Sequence, residues 1–366
     1  MAPQTKVRAM NPAKTPLFSL LALSIAACVS PAQDEGLGST EQGLVACPNF
    51  ACAQNAPTLN NRPFHELAES HQANLEGFSL GTMVKNNAAY AATVVGWELR
   101  GSNRYDQLTG SELVGAYFEI LHAADSKRYR VVIQAYSLMQ IYAGPLKGVV
   151  IPQYILKWIE TTPGAPAMHY QNLCSTPPTD RRETLFQQGE STIFFEGNRY
   201  DATSKLVAAG DTNWFNLGCA GHVVSKLFLT GHSTLSSGAS PLSLLHQQTA
   251  LKALVADYCG DGTPFTVSGE PLYWKTSNLF MAFQSTPATF EGRWGPMGPV
   301  CLDEPRLVKS SNPLAQVFFP DAPDGTPGVI AAMQAHCPTK IPPPCSAAPG
   351  VYSFAGAYLV TANPPQ

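Results

Sequence analysis

The sequence predicts an α+β fold with a β-rich first half, two central helices and disulfide cross-links. Three observations predict it: apolar runs with a two-residue period in the first half, two helical patterns in the second half, and eight cysteines beyond residue 28. The 366 residues are 45% hydrophobic and 13% charged, with 31 Pro and 29 Gly. This composition is typical of a globular chain with many turns and few long helices.

The strand signals lie in the first half. Residues 113–121 and 129–136 are apolar, aromatic runs, and turn residues at 124–127 separate them, so we expect a hairpin. Residues 154–159 alternate with the two-residue period of a strand. Residues 192–196 form another apolar run that ends at a Gly-Asn pair. The first half is therefore predicted to be mainly sheet.

Two segments of the second half have helical spacing. The first predicted helix runs from about Cys219 to Leu229, and Gly231 follows its end. The second is predicted to begin at Ser240, a capping residue followed by Pro241, and to end at Gly260. Its apolar stripe consists of Leu244, Leu251, Leu254, Val255 and Tyr258.

The first residues are typical of an export signal. Three basic residues precede the apolar run 17–27, which is too short to span a membrane as a helix, so residues 1–27 are predicted to be a signal peptide. The Ile-Ala-Ala-Cys tetrapeptide that ends at Cys28 matches a lipobox. It predicts cleavage before Cys28 and lipidation of its thiol, which would anchor the chain to a membrane. A plain cleaved signal is the alternative.

The remaining chain is predicted to form one domain with two flanking segments. Residues 28–60 lack a sustained apolar period and are interpreted as a flexible tether after the lipidated cysteine. Residues 61–345 are interpreted as a single globular domain. Residues 346–366 are interpreted as a Pro-rich tail, in which the apolar run 351–360 is a candidate edge strand.

The net charge argues against nucleic acid as a partner. Cleavage before Cys28 removes three of the 23 Lys and Arg residues and none of the 26 acidic residues, which leaves a formal charge of −6. No basic run remains that could follow a phosphate backbone.

The eight remaining cysteines are predicted to form disulfides. An even number in an exported chain favours cross-links, and no Cys or His spacing matches a zinc site. Short loops favour Cys47 with Cys52 and Cys337 with Cys345, and a Cys219–Cys259 bridge between the two helices is a further hypothesis. The full set is Cys47, Cys52, Cys174, Cys219, Cys259, Cys301, Cys337 and Cys345.

One constellation has the ingredients of a cysteine nucleophile. Cys259 lies between Asp257 and Asp261, and His222 and His232 flank the first helix. The alternative interpretation is a disulfide-bonded Cys259 in an Asp-Gly turn. It is favoured because two nearby acids would raise the pKa of the thiol.

Other catalytic and metal-binding motifs are missing from the sequence. The histidines are scattered without HExxH spacing, and there is no nucleophile elbow, phosphate-binding loop or dinucleotide fingerprint. Asp257, Asp261 and Thr263 could offer oxygens to calcium, but they do not match the twelve-residue calcium loop, and turns are the favoured interpretation. We therefore predict no metal and no cofactor.

A resemblance to a known family adds to this interpretation. Ala256, Asp257, Tyr258 and Cys259, followed by Gly260, Asp261 and Gly262, resemble the signature of the ADYC domain family. Residues 214–221 (WFNLGCAG) resemble its cysteine-bearing helix start, and residues 300–306 (VCLDEPR) resemble its later CLD-x-PR stretch. Together these similarities cover roughly residues 75–310.

The resemblance implies a fold and an exported location, and it implies no activity. Members are exported, often lipidated bacterial proteins. Many carry a second cysteine inside the first helix, where this chain has Lys226 and Leu227. Any cysteine pairing taken from such members therefore does not transfer directly to this chain.

These observations favour a non-catalytic, envelope-anchored lipoprotein with a binding or structural role. Its expected partners are the membrane, through the N-terminal lipid, and an envelope protein or polysaccharide. The alternative is an envelope enzyme that uses Cys259 as nucleophile with a histidine such as His222.

Overall fold

Antiparallel strands dominate the first half of the chain, and the computed structural model confirms the α+β fold class. The structure describes residues 57–165, 169–174, 191–210, 213–233, 235, 243–267, 269–276, 289–345 and 358–363. The predicted signal peptide, Cys28, Cys47, Cys52 and the predicted helix start at Ser240 and Pro241 lie outside these residues.

The strands of the described residues are numbered in chain order. They are β1 (Thr58–Leu59), β2 (Arg62–Pro63), β3 (Glu66–Ala68), β4 (Phe78–Lys85), β5 (Ala88–Val95), β6 (Glu98–Ser102), β7 (Gln107–Thr109), β8 (Tyr117–His122), β9 (Lys127–Gln140), β10 (Val150–Glu160), β11 (Gln171–Asn172), β12 (Ser191–Glu196), β13 (Arg199–Tyr200), β14 (Val207–Ala208), β15 (Trp214–Cys219), β16 (Tyr273–Thr276), β17 (Thr289–Gly295), β18 (Gly298–Leu302) and β19 (Leu359–Asn363). The α-helices are α1 (Val223–Leu229), α2 (Leu244–Leu254), α3 (Pro313–Phe318) and α4 (Gly328–His336).

An eleven-stranded antiparallel sheet forms the larger part of the fold. Its strand order is β3-β15-β12-β10-β9-β8-β4-β5-β6-β7, and β11 pairs with β10. Gly96, in the turn between β5 and β6, accepts a hydrogen bond on its carbonyl oxygen from Glu196 N at 2.8 Å. The sheet therefore curls, so that the turn between β5 and β6 reaches the end of β12.

The predicted strands are found in this sheet. The predicted hairpin is β8 and β9, which pair from Tyr117 opposite Val132 to His122 opposite Lys127. The run at 192–196 is β12, whose alternate side chains face two different cores. Phe195 packs with the helices, whereas Phe194 packs with residues of the large sheet. This explains why β12 has three consecutive apolar residues, Ile193, Phe194 and Phe195, instead of an alternation with polar residues.

Both predicted helices exist, but the start of the first and the end of the second were predicted wrongly. Cys219 does not open α1: it ends β15, a strand buried along its whole length, and α1 begins at Val223. The cap of α2 is Ser243, whose hydroxyl accepts from His246 N at 3.1 Å. The helix ends at Leu254 instead of continuing to Gly260.

The candidate edge strand at 351–360 lies outside the described residues up to residue 357, and its end overlaps β19, which is an interior strand. In the four-stranded sheet, with order β16-β19-β17-β18, β19 pairs with a neighbour on each side. Trp294 in β17 donates from Nε1 to Thr361 Oγ1 in β19 at 2.7 Å, and both side chains are buried. The final strand thus completes the core of this smaller sheet.

Three disulfides cross-link the described part of the chain, which confirms disulfide cross-linking but corrects two pairings. The bridges are Cys174–Cys219, Cys259–Cys337 and Cys301–Cys345. Cys337 and Cys345 are close in sequence, but the first lies at the end of α4 and the second bonds to β18. Cys219 is carried by a strand, so it bonds to Cys174 and not to Cys259.

We expect Val360→Ala to lower the free energy of unfolding by about 2 kcal/mol, because it leaves a cavity beside a fully buried strand. Val360 is 0% exposed and packs with Phe290 and the Cys301–Cys345 bridge. The matched control is Val300→Ala in the neighbouring strand β18, where the side chain is 43% exposed. Chemical denaturation of both variants measures the difference, and equal small effects would contradict the interior position of β19.

Candidate functional site

The turn after α2 contains the ADYC-like motif, and we call residues 256–263 the signature turn. Ala256 has a left-handed φ of 54°, which ends the helical backbone. Gly260 and Gly262 also have positive φ, of 73° and 97°. A Cβ at either glycine would collide with a carbonyl oxygen of another loop. Both positions therefore need glycine for space as well as for backbone conformation.

The carboxylate of Asp257 anchors this turn inside the protein. Its Oδ2 accepts from Lys252 Nζ at 2.7 Å and from Gly262 N at 2.8 Å. Both charged side chains are buried, and Lys252 also donates to the carbonyl oxygen of Gly260 at 3.0 Å. Because a buried charge without its partner is strongly destabilising, the pair holds the signature turn against the end of α2.

A second buried ammonium supports the same turn. Lys205 Nζ donates to the carbonyl oxygens of Ala202 and Thr203 at 2.8 Å and of Gly262 at 2.7 Å. Burial lowers the pKa of Lys205 to about 8, although the charge of Asp257 opposes the shift. With three carbonyl oxygens around it, the ammonium ties the neighbouring loop to the signature turn.

Tyr258 joins the signature turn to the CLD-x-PR stretch. Its hydroxyl donates to Glu291 Oε1 at 2.7 Å and accepts from Arg306 N at 2.8 Å. The Arg306 guanidinium pairs with Glu291 at 3.2 Å and donates to the carbonyl oxygens of Ala253 and Leu254 at the end of α2. Burial raises the pKa of Tyr258 well above its ordinary value, so the hydroxyl keeps its proton and remains a donor.

Cys259 and His222, the two residues of the nucleophile hypothesis, are both part of the structural framework. Cys259 is bonded through its sulfur to Cys337 at the end of α4. His222 immediately precedes α1 and occupies its cap position. A thiolate is the nucleophilic form of cysteine, so the disulfide form of Cys259 is not a nucleophile.

In the exposed part of the signature turn, an acid and a hydroxyl contact an imidazole at the end of α4. His336 Nε2 lies 2.9 Å from Asp261 Oδ2 and 3.0 Å from Thr263 Oγ1. Burial pushes the pKa of Asp261 upward, but hydrogen bonds from Thr263 N and from His336 outweigh it, and the pKa is lowered. Since both contacts use the same ring nitrogen, the imidazole does not relay a proton between the two residues.

Two histidines are buried side by side in an aromatic cluster. The rings of His232 and His246 are 6.0 Å apart, His232 is 5.7 Å from Trp274, and His246 is 6.1 Å from Tyr358. Burial lowers the pKa of His232 to about 3 and that of His246 to about 4. Both rings are therefore neutral at physiological pH and pack as aromatic side chains.

A cavity of about 380 Å³ lies beside the CLD-x-PR stretch, within the usual size range of ligand sites. The loop after β18, the start of β17, the end of β19 and residues 269–271 line it. Its lining includes the polar residues Glu270, Glu304, Arg306, Lys309, Ser310 and Asn363. The cavity therefore borders the Tyr258–Glu291–Arg306 network through Arg306.

The described residues hold no group of three or more His, Cys, Asp or Glu side chains that could bind a metal ion. Among the same residues, no helix has the length and apolar character needed to cross a bilayer.

Several residues that build this region were not predicted from the sequence. Lys205, Lys252 and Glu291 are buried charges. Lys205 reaches the distant Gly262 and Glu291 the distant Tyr258, whereas Lys252 pairs with nearby Asp257. Glu291 left one signal, since it is an acid between Phe290 and Gly292 in strand β17. No feature of the sequence pointed to Glu270, because it lies in a loop, where an acidic residue is ordinary.

The fold and the signature turn define a disulfide-braced α+β protein whose motif residues are engaged in buried contacts. The chain belongs to the ADYC domain family: the model of that family matches residues 110–308. The match begins before β8 and ends after β18, so it includes all three motif stretches that resemble the family. No curated protein and no solved structure matches the chain.

We expect Tyr258→Phe to lower the free energy of unfolding by about 1–3 kcal/mol, because it leaves the buried Glu291 carboxylate and the Arg306 amide without the hydroxyl. The ring is retained, so packing changes little. The control is Tyr105→Phe, whose side chain is 79% exposed. Urea denaturation compares the two, and a Tyr258→Phe variant as stable as the control would refute the buried network.

We expect acid to destabilise the fold through His232 and His246, whose pKa values of about 3 and about 4 lie below the ordinary value of 6.5. The unfolded chain takes up protons first, so this stability is complete above pH 6.5 and is lost as pH falls towards 4. Each histidine contributes a slope of at most about 1.4 kcal/mol per pH unit.

Thermal unfolding from pH 7 to pH 4.5 measures this slope. His232→Phe and His246→Phe should each flatten it, whereas His169→Gln at an exposed position should leave it unchanged. An unchanged slope in both Phe variants would show that the two rings are not buried as neutral groups.

Proposed function

We propose that this chain is an exported lipoprotein, anchored to the cell envelope through lipidated Cys28, with a non-catalytic binding or structural role. In this proposal residues 1–27 are removed as a signal peptide and residues 28–60 tether the domain to the membrane. The partner is an envelope protein or a polysaccharide.

The cysteines are the observation that carries this proposal. Six of the eight cysteines that follow Cys28 form three disulfides, and disulfides form and persist in oxidising compartments outside the cytoplasm. The basic and apolar start of the chain is the signal that would deliver it there. Two independent features of the sequence thus favour the same location.

The contacts of the signature turn support a role without catalysis. Asp257 and Tyr258 are buried and engaged with Lys252, Glu291 and Arg306. Groups held in this way position the backbone and are withdrawn from solvent. The alternative, an enzyme using Cys259 with His222, requires a free thiolate at a position where the sulfur is bonded to Cys337.

Expression of the full chain and of Cys28→Ser in a bacterial host tests the location. We expect the unaltered chain to fractionate with membranes and to carry a lipid-modified cysteine as its first residue in mass spectrometry. The Cys28→Ser chain should lose the lipid and leave the membrane fraction or remain unprocessed. A folded, unlipidated chain recovered from cytoplasm would refute the proposal.

Alkylation of the mature protein without reductant tests the non-catalytic role. We expect no alkylated cysteine after denaturation, because six of the cysteines beyond Cys28 form disulfides and we propose that Cys47 and Cys52 form a fourth. After reduction, Cys259 and Cys337 should be labelled together. Alkylation of Cys259 in the unreduced, folded protein would favour the enzyme alternative.

A further inference from the structure

One face of the large sheet carries three cations on two neighbouring strands. Arg128 and Arg130 alternate with buried residues along β9, and Lys157 lies on β10. The register places Lys157 opposite Val132, which lies two residues beyond Arg130 and therefore on the same face of β9. Arg128 is exposed, and the other two cations are half-buried. We call these three residues the basic face.

The cations of the basic face have no ion-pair partner among the described residues. Strands β8, β9 and β10 contain two acids. Glu160 pairs with Lys127 at 3.2 Å, whereas Glu119 lies opposite Arg130 in the register and forms no ion pair there. Three cations and one acid leave a charge of +2, although the chain without residues 1–27 has a formal charge of −6.

Aromatic and apolar side chains lie between these cations. The guanidinium of Arg130 is 4.1 Å from the centre of the Tyr117 ring, a cation–π contact that holds it without an acid. Leu121 lies opposite Arg128 in the register and is 42% exposed. Cations next to exposed apolar groups are typical of surfaces that lie on a bilayer, where the cations meet anionic headgroups and the apolar groups meet the acyl boundary.

The described chain begins at the end of the sheet where Arg128 and Leu121 lie. Arg62, which follows the first strand, pairs at 3.4 Å with Asp125 in the turn between β8 and β9. Leu121 lies shortly before this turn and Arg128 shortly after it. In the proposed function, the lipid on Cys28 is joined to the domain at this start. The anchor would therefore enter the domain beside the basic face.

We propose that the basic face lies on anionic lipid headgroups of the membrane that holds the anchor, with lipid phosphates contacting Arg128, Arg130 and Lys157. This inference rests on the proposed anchor and adds the orientation of the domain on the bilayer. Lipid is the occupant because the anchor keeps the domain beside it, and because its phosphates supply the negative charge that this face lacks. Each cation near such a surface strengthens binding about fivefold.

Lysine acetylation of the lipidated full chain in vesicles tests the proposal. One set of vesicles contains phosphatidylcholine, and the other contains phosphatidylcholine mixed with phosphatidylglycerol. We expect a water-soluble reagent to acetylate Lys157 at least about fivefold more slowly in the mixed vesicles. High salt should remove the difference, because it screens the charges. The internal control is Lys340, an exposed lysine after α4 that should react equally in both sets.

Two outcomes of this labelling would overturn the proposal. The first is an equal rate for Lys157 in the two sets of vesicles, measured by mass spectrometry. The second is protection of Lys157 by soluble polyphosphate but not by the mixed vesicles, which would assign the basic face to a soluble anionic polymer.

Variants assign the protection to the basic face. Replacing both arginines, Arg128→Gln with Arg130→Gln, should return Lys157 to the rate seen in phosphatidylcholine vesicles. The matched control is Arg100→Gln, which removes an arginine paired with Glu98 on β6 and should keep the protection. If the double variant does not fold, the exposed Arg128→Gln alone decides and should reduce the protection. Unchanged protection in the folded variant overturns the assignment.

The outcome separates this inference from the proposed function. A lipidated chain with equal labelling in both sets of vesicles would refute the orientation and leave the anchor intact. An unlipidated chain whose Lys157 is protected by the mixed vesicles would refute the anchor alone.

Discussion

The buried contact of Arg306 with Glu291 and Tyr258 is the interaction on which the second half of the structure depends. The guanidinium also donates to the carbonyl oxygens that end α2. Arg306 thus joins the helix and strand β17 through its side chain and the signature turn through its backbone amide. A buried ion pair is weak as a source of stability, but removing one partner is costly. The network therefore restricts how the helices and the smaller sheet pack more than it adds to stability.

These contacts give the residues of the ADYC motif a structural explanation. Its alanine ends a helix, its aspartate pairs with Lys252, its tyrosine bonds to Glu291, and its cysteine bonds to Cys337. The aspartate, the tyrosine and the cysteine are thus explained by the contacts that their side chains make. The motif thus marks a way of joining a helix to a sheet.

Local sequence patterns determined the elements that depend on local interactions. The hairpin of β8 and β9 follows from two apolar runs around a turn, and β12 follows from a short apolar run. Helices α1 and α2 follow from their periodicity. The number and setting of the cysteines predicted disulfides, and three residue stretches predicted the family. These features follow from properties of neighbouring residues, which the sequence displays directly.

The tertiary structure alone decided which distant residues meet. It pairs Cys337 with Cys259 instead of nearby Cys345, places the last strand between β16 and β17, and brings Glu270 to the cavity. It also brings the carbonyl oxygen of Gly262 to the buried Lys205. Sequence spacing carries no information on such contacts, because chain folding makes residues neighbours regardless of their separation along the chain.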